Sequence, residues 1–366
     1  MTAPGPVAAA SENAGLNQPS PVVPFVSTAV ATFDTPWAIA FLPDGCMLVT
    51  EKGGALYRVS QKGAREKVSG VPPVSYDGQN GLLDVAIAPT FAADRTVYLT
   101  YVAPSPGGGT LALMKARLDE TPRGPALADA TVIWRQTPEG GRGQPGGIIA
   151  FSPDGRHLFL TVGDRMVPQS AQDPDQARGK VLRLNPDGTT PADNPWAAAG
   201  GVRGQTWTTG HRNPYGLAFA PNGQLWLHEM GPMGGDEFNL ILSGRNYGWP
   251  LVSNGDNYNG TPIPRHATRP EFMAPAVYWT PVIAPAGLAF YQGTLFPQWR
   301  GSALIGGLRS TALVRVAFDR AGNPHEVERW DMGERIRDVA VGPDGAVWLI
   351  EDSPEGRLLR LTPATR

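Results

Sequence analysis

A short unit recurs six times along this chain, and this recurrence limits the possible folds more than any other feature. The unit is an aliphatic residue, an alanine and an aliphatic or aromatic residue. In four copies, a Pro-Asp-Gly or Pro-Asn-Gly turn and an alternating strand pattern follow it. The six alanines are Ala40, Ala86, Ala150, Ala218, Ala289 and Ala340. Successive alanines are 46 to 71 residues apart, which is room for about four short strands with their loops, the content of one propeller blade. The sequence therefore predicts an all-β fold, a six-bladed β-propeller over residues 25–366.

Three further structural predictions follow from this repeat. The spacing exceeds the forty-odd residues of a compact blade, so we expect long inserts at 165–208 and 243–283, where binding sites commonly lie. A small residue at the same place in six inner strands suggests that the alanines line a narrow axial channel. The β-branched run over 22–33 is expected to pair with the last strand, at 357–361, and to close the ring.

Composition excludes several classes of function. The chain of 366 residues has 31 Lys plus Arg against 33 Asp plus Glu, so no global field favours nucleic acid or an anionic membrane. The single cysteine, Cys46, excludes an intrachain disulfide and a cysteine-based metal cluster. No run approaches 18 apolar residues, so we expect no membrane span. Residues 1–24 lack a basic start and an apolar core, so they are interpreted as a flexible leader and not as an intact signal peptide.

The densest polar constellation lies between Gly210 and Asn239. Arg212 and Asn213 precede the inner strand of the fourth repeat, and Gly231 and Pro232 follow its second strand. A closed ring could bring such positions onto one face, where the carbonyl oxygens of the Gly-Pro loop could bind a hard cation such as calcium.

Three more arginines could approach the same end of the ring. Arg335 and Arg337 are two residues apart in an extended stretch and so share a face, and Arg309 follows the fifth repeat. A multiply charged carboxylate ligand would suit such a cluster, whereas ordinary surface salt bridges are the alternative. The five histidines include no metal-ligand pair, and of these only His211 and His228 border the central constellation.

Several strings in the chain resemble one known family. They are PWAIAFLPDG, GQNGLLDVAIAP, GKVLRLNPDGTTPADNPW, GHRNPYGLAF, HEMGPMGGDEFNLI, NYGWP and IRDVAVGPDG. Together they resemble the soluble pyrroloquinoline-quinone (PQQ) sugar dehydrogenases, especially the aldose sugar dehydrogenase branch, from about Val30 to Leu361. The fold of this family is a six-bladed propeller.

The resemblance implies that PQQ and a calcium ion lie in the mouth of the ring. An aldose would lose a hydride from its anomeric carbon to the quinone while a base removes the hydroxyl proton, giving a lactone. The family also implies a periplasmic or secreted protein, and it leaves the sugar and the electron acceptor open. Matched position by position, the expected PQQ-site residues are Gln79, Gln169, Arg212, Asn213, Arg309, Arg335 and Arg337. The carbonyl oxygens of Gly231 and Pro232 match the calcium ligands.

One position departs from the family pattern. The catalytic histidine expected before the third repeat is replaced by Gln144, and a neutral amide has no useful proton affinity near pH 7. Asp164 or Glu229 could supply the base instead. Three hypotheses remain open: a PQQ- and calcium-dependent dehydrogenase with an altered base, a propeller that binds PQQ or a sugar-like ligand without efficient turnover, and a pure interaction propeller.

Overall fold

Six antiparallel sheets are arranged in a closed ring in the computed structural model, which describes residues 11–364. The innermost strand of each sheet contacts the innermost strands of the two neighbouring sheets all around the ring. Each sheet has four strands in sequence order from the axis outward, except that the sixth takes its outer strand from the N-terminal region and the fourth gains a fifth strand. The predicted six-bladed β-propeller is confirmed.

The strand bounds, from the axis outward, are as follows. Blade 1 contains β3 (Pro36–Phe41), β4 (Met47–Glu51), β5 (Ala55–Val59) and β6 (Arg65–Lys67). Blade 2 contains β7 (Leu82–Ile87), β8 (Thr96–Ala103), β9 (Thr110–Thr121) and β10 (Gly124–Arg135). Blade 3 contains β11 (Gly146–Phe151), β12 (Leu158–Val162), β13 (Lys180–Leu184) and β14 (Thr206–Thr209). Blade 4 contains β15 (Pro214–Phe219), β16 (Leu225–Glu229), β18 (Asp236–Leu240) and β20 (Val277–Trp279).

The last two blades and the minor elements complete the fold. Blade 5 contains β21 (Pro285–Phe290), β22 (Ala303–Gly307), β23 (Ala312–Phe318) and β24 (Pro324–Asp331). Blade 6 contains β25 (Ile336–Val341), β26 (Val347–Glu351), β27 (Gly356–Pro363) and β2 (Phe25–Phe33). Outside these sheets, β17 (Met233–Gly234) pairs with β19 (Gly255–Asp256). The short helices are α1 (Phe91–Asp94), α2 (Gly201–Gln205) and the 3₁₀ turns Pro168–Gln172, Ala197–Ala199, His266–Thr268 and Pro297–Trp299.

The ring is closed by a strand from the N-terminal region. β2 pairs antiparallel with β27, from Phe25 opposite Pro363 to Phe33 opposite Gly356. This pairing confirms the closure predicted from sequence. The pairing ties the two ends of the described chain together within blade 6, and the chain runs directly from β2 into β3 of blade 1, so it joins the first and sixth blades.

The segment before β2 also lies against the propeller. β1 (Glu12–Asn13) pairs in parallel with β20 on the outside of blade 4, Ala14 is fully buried, and Arg329 donates a hydrogen bond to the Ala14 carbonyl at 3.0 Å. The sequence analysis assigned residues 1–24 to a flexible leader. Residues 12–14 of that leader lie against blades 4 and 5, and the Ser20 N–H donates to the Arg329 carbonyl at 2.7 Å, although most of residues 16–24 are exposed. Residues 1–10 lie outside the described part of the chain.

The inner strands surround an axial cavity of about 170 Å³. The alanines do not line it, so that expectation was wrong. The residue before each alanine does, and these are Ile39, Val85, Ile149, Leu217, Leu288 and Val339. Every inner strand has a β-bulge two or three residues before its alanine, where its register against the second strand shifts. A bulge re-aims the side chains that follow it, and the alternating pattern alone did not reveal it.

A recurrent side chain joins neighbouring blades at these bulges. Thr100 on β8 accepts a hydrogen bond from the Asp84 backbone N–H at 3.0 Å and donates one to the Gly147 carbonyl of blade 3 at 2.6 Å. Both backbone groups are thereby satisfied away from water. The same position on the second strand of other blades carries Thr50, Thr161 and His228.

The two predicted inserts are only partly loops. The segment 165–208 includes β13 and most of β14, and 243–283 includes the outer strand β20. In residues 11–364, the longest helix has five residues, and none is long and apolar enough to cross a membrane.

Candidate active site

One end of the propeller holds a cavity of about 730 Å³. The loops that precede several inner strands supply much of its lining, and these loops share one end of the ring because the inner strands run in the same direction. Of the eleven site residues predicted from sequence, eight line this cavity: Gln79, Gln144, Arg212, Asn213, Gly231, Pro232, Arg309 and Arg335. Asp164, Gln169 and Arg337 do not.

Arg212 is held tightly at the edge of the cavity. Its Nη1 donates to the Gly231 carbonyl at 2.7 Å and to the Met230 carbonyl at 3.1 Å. The guanidinium lies 5.3 Å from the ring centre of Trp249 and 5.7 Å from that of Tyr258. Cation–π contacts on two rings fix the plane of the guanidinium. Its Nε is buried and has no hydrogen-bond partner within the described residues.

A second group of cations belongs to blade 6 and its neighbours. Arg335 and Arg337 share one carboxylate, that of Asp352, at 2.6 and 3.0 Å. Burial would raise the pKa of Asp352, but the two guanidinium groups outweigh burial and hold this pKa below its usual range. Arg337 itself turns toward the axial channel and packs on Trp37 and Tyr215.

Lys52 is a further cation at this end, and the sequence analysis did not find it. Its ammonium lies 5.5 Å from the ring centre of Tyr76. Burial, with Arg337 and Arg335 nearby, lowers its pKa. No carboxylate lies within 4.0 Å of the charged group of Lys52 or of Arg309 in the part of the chain that the structure describes.

This end of the propeller therefore carries a surplus of positive charge. Two residues that line the cavity also leave polar atoms free: Asn213 Oδ1 and Arg212 Nε are buried without a partner among residues 11–364. Clustered guanidinium groups are costly to hold together unless an anion meets them, and their forks match carboxylate oxygens. A compact ligand with several carboxylates, such as PQQ, fits this donor set.

Gln144 lies in the wall of the cavity with a strained backbone. Its φ is +46°, which is uncommon for a residue other than glycine. Its backbone N–H donates to Gln79 Oε1. With its amide nitrogen toward Asp164, Gln144 donates to that carboxylate and accepts from Arg212 Nη2 at 2.9 Å. Gln79 thus holds the main chain of Gln144. The Gln144 side chain bridges the Asp164 carboxylate and the Arg212 guanidinium.

Asp164 lies behind Gln144, outside the cavity lining. Its Oδ2 accepts from Trp249 Nε1 at 2.8 Å and its Oδ1 from the Met166 backbone N–H at 2.9 Å. Burial raises the pKa of Asp164 to about 6, although the bonds from Trp249 and Met166 and the charge of Arg212 oppose that shift. Asp164 is therefore close to the cavity but is separated from it by the Gln144 amide.

The other candidate residues near the site are committed elsewhere. Glu229 Oε2 accepts from the Arg212 backbone N–H at 2.6 Å, and its Oε1 bonds His211 Nδ1 at 2.8 Å. His228 joins blades 4 and 5, and burial lowers its pKa to about 4, so it is neutral at pH 7. Gln169 is exposed in the turn Pro168–Gln172 and is not among the lining residues.

The Gly231–Pro232 loop is anchored by a buried carboxylate. Asp236 Oδ1 accepts from the Gly231 N–H at 2.9 Å, and its Oδ2 accepts from Ile283 and Ala284 N–H at 2.8 and 2.7 Å. Within residues 11–364, no group of three or more His, Cys, Asp or Glu side chains could hold a metal ion. A cation in this cavity would therefore rely on carbonyl oxygens and on the oxygens of a bound ligand.

Comparison with known proteins shows the family of the chain. The family model described as Glucose / Sorbosone dehydrogenase matches residues 33–360. The chain belongs to this family. It is 39% identical over 342 residues to the aldose sugar dehydrogenase YliI of Escherichia coli (strain K12), and the alignment covers 90% of each chain.

Solved structures of the family share the whole fold. A structure described as a glucose dehydrogenase aligns with a TM-score of 0.87 and 41% identity, and covers 93% of this chain and 100% of that one. The PQQ-bound aldose sugar dehydrogenase of Streptomyces coelicolor aligns with a TM-score of 0.74 and 29% identity. The alignment covers 94% of this chain and 99% of that one. The family resemblance inferred from sequence motifs is confirmed.

Several residues of the site gave no usable sequence signal. Trp249 belongs to one of the family strings, but no sequence spacing indicates its contacts with Arg212 and Asp164, which are distant in the chain. Tyr258 lies in an insert, and Lys52 and Asp352 lie in other blades. Short spacing relates positions on one strand or turn, whereas these contacts join segments far apart in sequence.

Proposed function

We propose that this protein is a PQQ- and calcium-dependent dehydrogenase that oxidises aldose sugars at the anomeric carbon to lactones. The observation that carries the proposal is the surplus of positive charge at the cavity. Arg212, Arg309 and Arg335 line it, while Asp352 is the one carboxylate paired with that group in residues 11–364. Family membership and the PQQ-bound relative supply independent support.

Each residue has a task in this proposal. Arg309 and Arg335 hold cofactor carboxylates, and Asn213 supplies a further polar contact. Gly231 and Pro232 offer carbonyl oxygens to calcium, on a loop that Asp236 fixes. The Gly231 oxygen also accepts from Arg212 Nη1 at 2.7 Å, so calcium would use its second lone pair. When bound, the quinone supplies the hydride acceptor, and an external acceptor later removes the two electrons. The sugar occupies the open part of the cavity, near Gln144.

Gln144 and Asp164 handle the substrate hydroxyl in this scheme. The Gln144 amide oxygen is an acceptor that can orient the hydroxyl, but it cannot keep the proton. Asp164, whose pKa burial raises to about 6, is mostly ionised at pH 7 and can accept the proton, provided that the Gln144 side chain moves aside. Loss of a directly placed base typically costs about 10²- to 10⁴-fold in rate, so we expect slow turnover.

The second candidate function is binding of PQQ or a sugar-like ligand without efficient turnover. One observation favours it: Asp236 is the one carboxylate among the described residues that line the cavity, and three backbone N–H groups occupy its oxygens. No lining side chain is then a free base. An export compartment, periplasmic or secreted, suits either function and also remains a proposal.

Dye reduction by the purified apoprotein separates the two functions. The assay contains PQQ, calcium and a panel of aldoses, with heat-killed protein as the control, and PQQ binding is measured on the same sample. Reduction that requires all three additions supports the dehydrogenase. PQQ binding without reduction would leave the ligand-binding function. The absence of PQQ binding would contradict the dehydrogenase and would restrict the second function to a sugar-like ligand.

A further inference from the structure

Arg165 is a buried arginine that the proposed chemistry does not use. It follows Asp164 directly and is 1% exposed. Its Nη1 donates to Asn80 Oδ1 at 3.1 Å and to the Gly143 carbonyl at 2.7 Å. Its Nη2 donates to the Gly109 carbonyl at 3.2 Å and to the Gly141 carbonyl at 2.9 Å. One guanidinium therefore connects loops from blade 2 and blade 3.

This arrangement is expensive for a residue with only a packing role. No carboxylate lies within 4.0 Å of Arg165 in the described chain, and burial lowers its pKa to about 10, so it remains charged at pH 7. A buried cation without an ionic partner is costly to desolvate, so its four hydrogen bonds are the interactions that keep it there. Gly141 also has to be glycine, because a Cβ there would lie 2.6 Å from Arg165 Nε.

The four partners of Arg165 show what the arrangement achieves. Asn80 follows Gln79, Gly143 precedes Gln144, and Asp164 precedes Arg165 itself. Every member of the Gln79–Gln144–Asp164 group is thus one residue away from an atom in the Arg165 hydrogen-bond network. The network also braces Gln144 in its left-handed conformation, which needs support from its surroundings.

We propose that Arg165 is a positioning residue that holds Gln79, Gln144 and Asp164 in their mutual geometry. Arg165 is not among the residues that line the cavity, and it acts through the Gly141 and Gly143 carbonyls just before Gln144 and through Asn80 beside Gln79. The kinetic consequence rests on the proposed function, whereas the structural consequence does not.

Hydrogen exchange on the apoprotein tests the structural part. In Arg165→Met, amide hydrogens of residues 77–81 and 139–146 should exchange at least about tenfold faster, while the inner strands of blades 4 to 6 keep their protection. Arg156→Met is the matched control, since Arg156 is a 78% exposed residue of the same blade. Unchanged exchange in both segments, or an equal increase in every blade, would overturn the positioning role.

Two further variants complete the test. Arg165→Lys keeps the charge but loses the planar guanidinium fork. Hydrogen exchange in residues 77–81 and 139–146 should therefore be faster than in the wild type and slower than in Arg165→Met. This variant replaces Arg165→Met in the test if the methionine variant does not fold. In a double-mutant cycle, Arg165→Met should abolish most of the rate gain that Gln144→His produces, with PQQ affinity changed less than about threefold. A gain that survives in the double variant would contradict the proposal. The exchange experiment needs no PQQ, so its failure is distinguishable from failure of the proposed function.

Discussion

Gln144 is the residue that limits proton removal in the proposed function. Its amide nitrogen faces a carboxylate whose pKa burial raises to about 6, and its amide oxygen faces a guanidinium. An imidazole at position 144 would meet the same carboxylate and could both accept a proton and be oriented by Asp164. The environment of a histidine base is thus present, although the histidine is not.

Gln144→His should therefore raise the rate of PQQ-dependent aldose oxidation. We expect a gain of at least about tenfold, below the full ~10²- to 10⁴-fold effect of a well-placed base, with PQQ affinity unchanged. Steady-state dye reduction measures it. Gln144→His combined with Asp164→Asn should lose most of the gain. Equal rates for wild type and Gln144→His, both loaded with PQQ, would show that the working base lies elsewhere.

Arg309 tests the role of the cations. Among the described residues, its guanidinium has no ion-pair partner, so its removal leaves no carboxylate unpaired. Arg309→Met should weaken PQQ binding about tenfold, or ~1.4 kcal/mol, because it removes a charge-assisted contact. The control is Arg300→Met, an exposed arginine of the same blade. Matching affinities for the two variants would exclude Arg309 from the cofactor site.

Sequence patterns located most, but not all, of these residues. Gln79, Arg212 and Arg335 line the cavity because each lies one to three residues before an inner strand. Gln169 was also placed by offset, yet it is exposed, and Gln172 in the same turn instead hydrogen-bonds the Trp249 carbonyl at 2.6 Å. Offsets lose precision inside a turn, where no strand fixes the direction of the side chain.

At the scale of the element, the blades depend on the hydrogen bonds at their bulges. Thr100 satisfies one backbone N–H of its own blade and one carbonyl of the next. Thr100→Val keeps the shape and leaves both groups unpaired, which should lower the free energy of unfolding by about 2 to 4 kcal/mol. Chemical denaturation measures it.

The control for this prediction is Thr28→Val, because Thr28 is an exposed residue of β2 whose side chain makes no hydrogen bond to the other described residues. It should change stability by less than about 0.5 kcal/mol. If Thr100→Val matched this control, the bonds between blades would contribute little to stability.

The bulges also explain the limit of prediction at this scale. The repeat gave the number of blades and the closing strand, because both depend on the count and order of strands. It misassigned the alanines, because a bulge before each of them changes which side chains face the channel. A period-two pattern cannot locate an unpaired extra residue.

At the scale of the whole molecule, buried carboxylates at the ring make stability depend on pH. Burial raises the pKa of Asp84 to about 8 and that of Asp338 to about 7, and both face the axial cavity. A carboxyl group with a raised pKa binds its proton more tightly in the folded state. Its contribution to the free energy of unfolding therefore decreases as the pH rises from about 4 to about 8.

Asp84→Asn should remove part of this dependence. The melting temperature of the wild type should fall between pH 5 and pH 8. The fall should be smaller for Asp84→Asn, by at least roughly 2 °C. Asp175→Asn is the control, because the pKa of this exposed carboxyl is lowered and it titrates below that interval. Parallel curves for wild type and Asp84→Asn would indicate that Asp84 stays ionised in the folded protein.

The central claim is that the cation-rich mouth of the propeller takes PQQ, and an equilibrium titration of the purified apoprotein with PQQ in the presence of calcium tests it most directly. Trp249, which stacks on Arg212, is a native fluorescent reporter at this position. The account predicts saturable quenching with one PQQ per chain, weakened in Arg309→Met and retained in Arg300→Met. Quenching that does not saturate, or that is equal in all three proteins, would contradict it.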